Sequence, residues 1–384
     1  MRVPILRPYL DDKEANAVKE VLESGWMIMG RKVAELENRV AKLVGVDYAK
    51  ACSSCTTALH MAVLALGIGP GDKVLVPAYT FVATANAVEY TGATPIFVDV
   101  DPRTFNIDPK DFIRKYEKSY KVDSSGGCIS PRAVIPVHLF GLCADMADIL
   151  EIEGISVIED AACAMGSCGP EGMAGAMGAL SCFSFHPRKS IATGEGGMVT
   201  TNDRNLAETV HQLRDFGFTG TNFERHEKGV TLMPEVNLLG YNYRMSDIHG
   251  AIGVEQMKKW DEIVGKKIDK AKIYGKELGG IEWLSLPYVP EGYYHTYQSY
   301  ACRVLPPADR GKVMNQLKEA GVATREGTHA VPLLGYYAKK YGYKTGDFPG
   351  MDACDRECIT IPMFPSMTEE EQSYVIEAIK KVNI

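Results

Sequence analysis

The chain has 384 residues, 46% hydrophobic and 24% charged, the proportions of an ordinary folded globular protein and not of a disordered, collagen-like or coiled-coil one. Forty-two basic against 49 acidic residues leave a formal charge of −7, which excludes a broad electrostatic footprint for a nucleic-acid backbone, so any anion must be held locally. The length predicts roughly two to three domains, or one large domain with an appendage.

The opening stretch MRVPILRPYLDDKEA meets Pro4, Pro8 and two aspartates before an apolar run reaches signal-peptide length. No later run approaches the roughly 20 residues of a membrane span, and a cytoplasmic protein is expected. Ten scattered cysteines fit a reducing compartment better than a disulfide framework. The single CxxC, Cys52-Ser53-Ser54-Cys55, lacks the second CxxC that a zinc site expects. Small buried hydrophobes are the ordinary reading of such cysteines, with a redox pair as the alternative.

From Gly30, the residues Val33, Leu36, Val40, Leu43 and Val44 recur at helical spacing, and Leu59, Val63 and Leu66 do the same after residues 52–57. The runs KVLVPA (73–78), TPIFVDVD (94–101), AVIPVHLFG (133–141) and ISVIEDAA (155–162) read as strands between helical or irregular segments. Residues 123–130 read as a surface loop. This alternation predicts an α/β fold with a mainly parallel sheet flanked by helices, its ligands gathering at the carboxyl ends of the strands, where Asp160 and His138 stand. Beyond about 255 the texture turns helical and Lys-rich, with a strand in QSYACRVL (298–305) and helices near 310–320 and 369–382. A large domain over 1–254 and a smaller C-terminal α+β domain over 255–384 are expected.

The segment 178–201, GALSCFSFHPRKSIATGEGGMVTT, breaks a strand at Pro187 and carries Lys189 toward Gly194, Gly196 and Gly197. A solvated surface lysine is the bland reading. No P-loop and no dinucleotide fingerprint occurs, which takes support from phosphoryl and hydride transfer. What remains is a lysine working on a carbonyl, with Asp160 as its partner: a Schiff-base lysine and an aspartate for a pyridinium nitrogen are the minimal equipment for pyridoxal phosphate. Asp160 alone could equally be a helix N-cap. Residues 53–57, directly before a helix, offer hydroxyls and N–H groups to a phosphate, or plain N-capping by Ser54 or Thr56.

The segments FSFHPRKSIATGEGGMVTT, IEDAACA, SSCTTALHMAVLALGIGPGDKVLVPAYTFVATANAV and LGYNYRMSDIHGAIGVEQMKK resemble the motifs of one family, the DegT/DnrJ/EryC1/StrS sugar aminotransferases. The resemblance runs from SGWMIMG (24–30) to the closing IPMFPSMTEEEQSYVIEAI (361–379). It implies a fold-type I enzyme using pyridoxal 5′-phosphate and cycling through pyridoxamine phosphate. It implies Lys189 as the Schiff-base lysine and Asp160 on the pyridine nitrogen. It places Phe81 against the ring, and Cys55, Thr56 and Ser184 on the phosphate. It also implies Asn242 donated by the neighbouring subunit, hence a homodimer with shared active sites. Where the family often has glutamine or histidine near the ring oxygen, this chain has Cys163, which puts that contact in doubt. The family's dehydratases replace the lysine with histidine; Lys189 is kept here, which favours transamination.

In the implied reaction, L-glutamate gives its amino group and a nucleotide-linked ketosugar, a 4-keto-6-deoxy sugar first, receives it. Lys189 serves as nucleophile and general acid/base, its pKa lowered by partial burial. Trp26, Tyr243, Arg244, Arg325 and His329 are the candidate substrate contacts, each with an ordinary structural alternative. A 3-keto sugar, an aminocyclitol, a lyase or desulfurase of the same fold, and a regulatory protein that kept the fold are the other readings.

Overall fold

The computed structural model describes residues 1–119, 121–122, 128–220 and 234–384. Most of the loop expected over 123–130 falls outside these residues. Seven strands form the main sheet: β1 (Tyr48–Cys52), β2 (Lys73–Pro77), β3 (Thr94–Val98), β4 (Ala133–Val134), β5 (Ser156–Asp160), β6 (Leu180–Ser184) and β7 (Gly197–Thr201). Their spatial order is β1-β7-β6-β5-β4-β2-β3, with β7 antiparallel to both neighbours and all other pairs parallel.

The apolar runs are explained by burial on both faces. Along β2, Val74 and Val76 enter one core with Leu59, Val63 and Phe97, while Leu75 enters another with Val98, Val134 and Phe112. Helices α1 (Asp12–Ser24), α2 (Arg31–Val44), α3 (Cys55–Ala65) and α4 (Ala83–Tyr90) belong to this part of the chain. Of the stripe expected in α2, Val33, Leu36, Val40 and Val44 are buried and Leu43 is half-buried. Its N-terminus is capped from afar: Asp247 accepts from Gly30 N at 2.8 Å, Val33 N at 3.0 Å and Lys32 N at 3.2 Å. Gly30 is required there, since a Cβ would lie 2.5 Å from Trp26 Nε1.

The later residues build a four-stranded antiparallel sheet from Leu284–Ser285, Tyr300–Val304, Cys358–Ile361 and Arg325–Glu326. Arg310–Glu319 and Glu369–Lys380 cover it, and Val313, Leu317, Ile359 and Ile376 share its core with Val3 from the start of the chain. The helix Trp260–Leu278 changes core along its length: Trp260, Ile263 and Val264 pack with α2, whereas Ala271, Tyr274 and Leu278 pack on the second sheet. Among the described residues no helix is long and apolar enough to cross a membrane.

Candidate active site

Glu159 and Asp160 end β5, so the pleat sends their side chains to opposite faces. Both are buried, at 0% and 4% exposure. Asp160 accepts from Thr84 Oγ1 at 2.8 Å and from Ala162 N at 3.2 Å. Burial raises its pKa, and Thr84, Ala162, Lys189 and His138 offset only part of that rise. Glu159 accepts from Ser181 Oγ at 2.7 Å, from the N–H groups of Gly175, Met177 and Gly178, and from His138 Nε2 at 2.9 Å. His138 Nδ1 in turn accepts from Ala144 N at 2.9 Å, which fixes the tautomer that donates to Glu159. His138, expected near the chemistry, is therefore a wholly buried partner of Glu159 on the face away from Asp160.

Lys189 sits on a tight turn after β6, where its N–H bonds His186 O at 2.8 Å and Thr193 N bonds Phe185 O at 2.8 Å. Its Nζ donates to Cys163 Sγ at 3.0 Å. The expectation that burial lowers its pKa is corrected. Burial does push it down, but Cys163, Cys55 and Asp160 together outweigh that effect and hold it above the ordinary lysine value. An amine ringed by groups that carry negative charge when ionised keeps its proton.

Ser54 caps α3, accepting from Thr57 N at 3.2 Å while its carbonyl takes Ala58 N. This leaves the N–H groups of Cys55 and Thr56, at the first two helical positions, directed outward as an anion seat. Ser184 is in register with Gly197, and Gly197 packs so tightly on the loop that a Cβ would lie 2.4 Å from Ser54 C. Ser184, Cys55 and Thr56 are thereby held together at the carboxyl ends of β6 and β1.

A cleft of about 460 Å³ opens beside Lys189 and Cys163, with Phe81, Arg188, Arg325 and His329 among its walls. The Phe81 ring is 51% exposed although its neighbours Tyr79 and Thr80 are buried. It stands 5.4 Å from the His329 ring, whose Nδ1 is buried without a hydrogen-bond partner. Arg188 lies close enough to Arg325 for their repulsion, after burial, to lower its pKa. These features fit a flat phosphorylated ring: an exposed aromatic for its face, a buried carboxylate for a ring nitrogen, a lysine for its carbonyl, and unpaired helix N–H groups for its phosphate.

The other expected substrate residues are not brought into this cleft. Trp26 lies against Gly30, Tyr243 hydrogen-bonds His60 at 3.2 Å, and Arg244 pairs with Asp215 and stacks on Phe216. Asn242 is exposed on the same segment, its backbone bridged to Asp215. Sequence reasoning missed Thr84, Arg188 and Gln298. Thr84 had one signal, three residues after Phe81 at the start of a helix; Gln298, whose Nε2 holds Arg188 O at 2.6 Å, had none.

Comparison with known proteins places this geometry in context. Residues 8–380 match the model of the DegT/DnrJ/EryC1/StrS aminotransferase family. The chain is 35% identical to the spore coat polysaccharide biosynthesis protein SpsC of Bacillus subtilis, over 99% of this chain and 97% of the relative. It is also 35% identical to the GDP-perosamine synthase of Caulobacter vibrioides, over 99% and 98%. A crystal structure of an aminotransferase of this family from Brucella abortus superposes with a TM-score of 0.85 at 30% identity, covering 96% of this chain and 95% of that one. Aminotransferases of this family act on sugars and depend on pyridoxal 5′-phosphate. With a sheet, a lysine turn and a cleft of this form, the chain belongs to the DegT/DnrJ/EryC1/StrS aminotransferase family.

Proposed function

We propose that the chain transfers the amino group of L-glutamate to a nucleotide-linked keto-deoxysugar, a 4-keto-6-deoxy sugar foremost, and yields an aminosugar nucleotide. The observation that carries this reading is the cleft walled by Lys189, the exposed Phe81 ring and two arginines, with the buried Asp160 close enough to Lys189 to act on its charge. When bound, pyridoxal 5′-phosphate supplies the electron sink that makes the amine-bearing carbon acidic. Lys189 Nζ is the group placed to join the cofactor's carbonyl carbon and then to move the proton at that carbon. Asp160 holds a proton at the ring nitrogen, and Thr84 keeps Asp160 turned toward it. Cys55, Thr56 and Ser184 hold the phosphate, Phe81 covers the ring, and Cys163 faces Lys189 from the side.

Arg188 and Arg325 suit the carboxylate of the donor or the diphosphate of the acceptor. A relative named for making GDP-perosamine supports a GDP-linked product. The exposed Asn242, outside its own cleft, suits a partner subunit's phosphate site and hence a homodimer. Residues 1–254 and 255–384 are proposed as the two units; the support is the change of core partway along Trp260–Leu278.

The test is formation of 2-oxoglutarate from L-glutamate with a panel of nucleotide ketosugars. Turnover with a 4-keto-6-deoxy sugar is expected; turnover confined to 3-keto sugars or aminocyclitol ketones overturns that choice. Product formation that needs no amino donor favours the lyase reading. A mixture of Asn242→Ala and Lys189→Ala subunits regains activity if sites are shared, and stays inactive if they are not.

A further inference from the structure

The chain carries a net charge of −7, yet the cleft beside Lys189 gathers positive charge. Lys189, Arg188 and Arg325 line it together, and the acidic side chain among its walls, Glu326, is already taken by Arg310 at 3.0 Å. Among the described residues, neither Arg188 nor Arg325 is paired through its guanidinium with a carboxylate. Both are nevertheless firmly placed. Arg188 N donates to His186 Nδ1 at 3.2 Å, and its carbonyl accepts from Gln298 Nε2 at 2.6 Å. Arg325 is in register with Thr360, whose Oγ1 donates to the Arg325 carbonyl at 3.2 Å. The two backbones are held from both units of the chain, and the side chains are left exposed. The two charges are close enough to repel. Like charges held on one wall without a counter-charge favour an anion between them.

We propose that Arg188 and Arg325 together form a seat for a diphosphate, the doubly charged linkage of a nucleotide sugar, and that this seat separates the acceptor from the donor. The proposal deepens the reading of the chain as a nucleotide-sugar aminotransferase and rests on it for the sugar part of the ligand. Charge decides between the two substrates. L-glutamate brings two carboxylates and an ammonium, a single net negative charge, and so leaves one guanidinium uncompensated. A diphosphate diester brings two negative charges on neighbouring phosphorus atoms and no cation, and each phosphate offers a pair of oxygens to one planar guanidinium. Position agrees with charge. Arg188 directly precedes Lys189, so a ligand anchored there by its diphosphate keeps its sugar beside the reacting amine, and the cleft of about 460 Å³ is of the size small-molecule sites have.

Titration calorimetry on the pyridoxal 5′-phosphate-loaded chain, with GDP, UDP and 2-oxoglutarate as probes, tests the seat. Arg188→Gln and Arg325→Gln are each expected to weaken GDP and UDP alike by about 10- to 100-fold, because the arginines read the diphosphate and not the base. Arg103→Gln removes the same charge from an exposed arginine that pairs with Asp101 and lines a different cavity, and it is expected to leave both affinities as they are. Nucleoside diphosphate binding that the two cleft variants leave unchanged, or that Arg103→Gln weakens as much, overturns the seat. Weakening confined to 2-oxoglutarate also overturns it, since the arginines then serve the donor.

Steady-state rates separate this proposal from the reading beneath it. Arg188→Gln is expected to raise KM for the nucleotide ketosugar and to leave KM for L-glutamate unchanged. Amino transfer with the acceptor's KM unmoved in both cleft variants overturns the seat and leaves the function standing. Nucleoside diphosphates that bind through both arginines, in a chain that aminates no ketosugar, overturn the function and leave the seat standing.

Discussion

Two neighbouring carboxylates, Glu159 and Asp160, meet the same depth of burial on opposite faces of β5, and their pKa values move in opposite directions. On one face Glu159 accepts five hydrogen bonds, counting three backbone N–H groups, Ser181 and His138, and its pKa falls despite burial. On the other face Asp160 has, among the described residues, Thr84 and Ala162 alone as donors, and burial wins. The difference is a matter of donor count. A carboxylate with every lone pair used is a structural anchor, whereas one with capacity left over can take a proton-bearing partner from outside. The first binds the 175–181 segment to the sheet; the second is the carboxylate proposed for the cofactor's ring nitrogen.

Four substitutions break or sharpen this contrast. Lys189→Ala removes the proposed nucleophile and proton carrier at once, and the rate of amino transfer is expected to fall by more than the roughly 10⁴-fold that acid–base catalysis alone contributes. Turnover near the wild-type rate would remove Lys189 from the reaction. Glu159→Ala strands five buried donors, and a loss of about 3–5 kcal/mol in urea unfolding is expected. A loss below roughly 1 kcal/mol would show that the donors find other partners and that the anchor is unimportant.

Asp160→Asn is the complementary case. It strands few groups, so stability should change by about 1 kcal/mol or less, while amino transfer drops about 10²- to 10⁴-fold with cofactor still bound. If stability fell as far as in Glu159→Ala while turnover held, the two faces would not differ in role. Thr84→Val has the smallest effect. Thr84 lowers the pKa of Asp160, so its removal lets that pKa rise and moves the acid limb of the kcat profile to higher pH. An unmoved limb would mean that Asp160 is not the group whose ionisation the limb reports.

Much of this site is legible in sequence because it is local. Pro187, Lys189 and the glycines after them specify a turn, and Ser54 before an apolar helix specifies a cap. Both features depend on residues within a few positions of one another, and so do the apolar runs that became the sheet. What was not legible depends on contacts between distant segments. Thr84 reaches Asp160 across 76 positions, and Lys189 meets Cys163 across 26. That second contact, together with Cys55 and Asp160, reverses the expected pKa shift of Lys189, because burial is visible in an apolar sequence context and the positions of distant thiols and carboxylates are not. The positions of Trp26 and Arg244 were illegible for a related reason. Their motifs are specific, but Arg244 is engaged by Asp215 and Trp26 is set against Gly30, both outside the cleft.

The central claim is that Lys189 carries the cofactor and hands it the amino group of glutamate. Its most direct test is the visible absorption spectrum of the pyridoxal 5′-phosphate-loaded chain before and after L-glutamate, run beside Lys189→Ala. A visible band that forms in the wild type, disappears on adding glutamate and is missing from the variant is the predicted result. A band that survives in Lys189→Ala, or one that glutamate leaves unchanged, would contradict it.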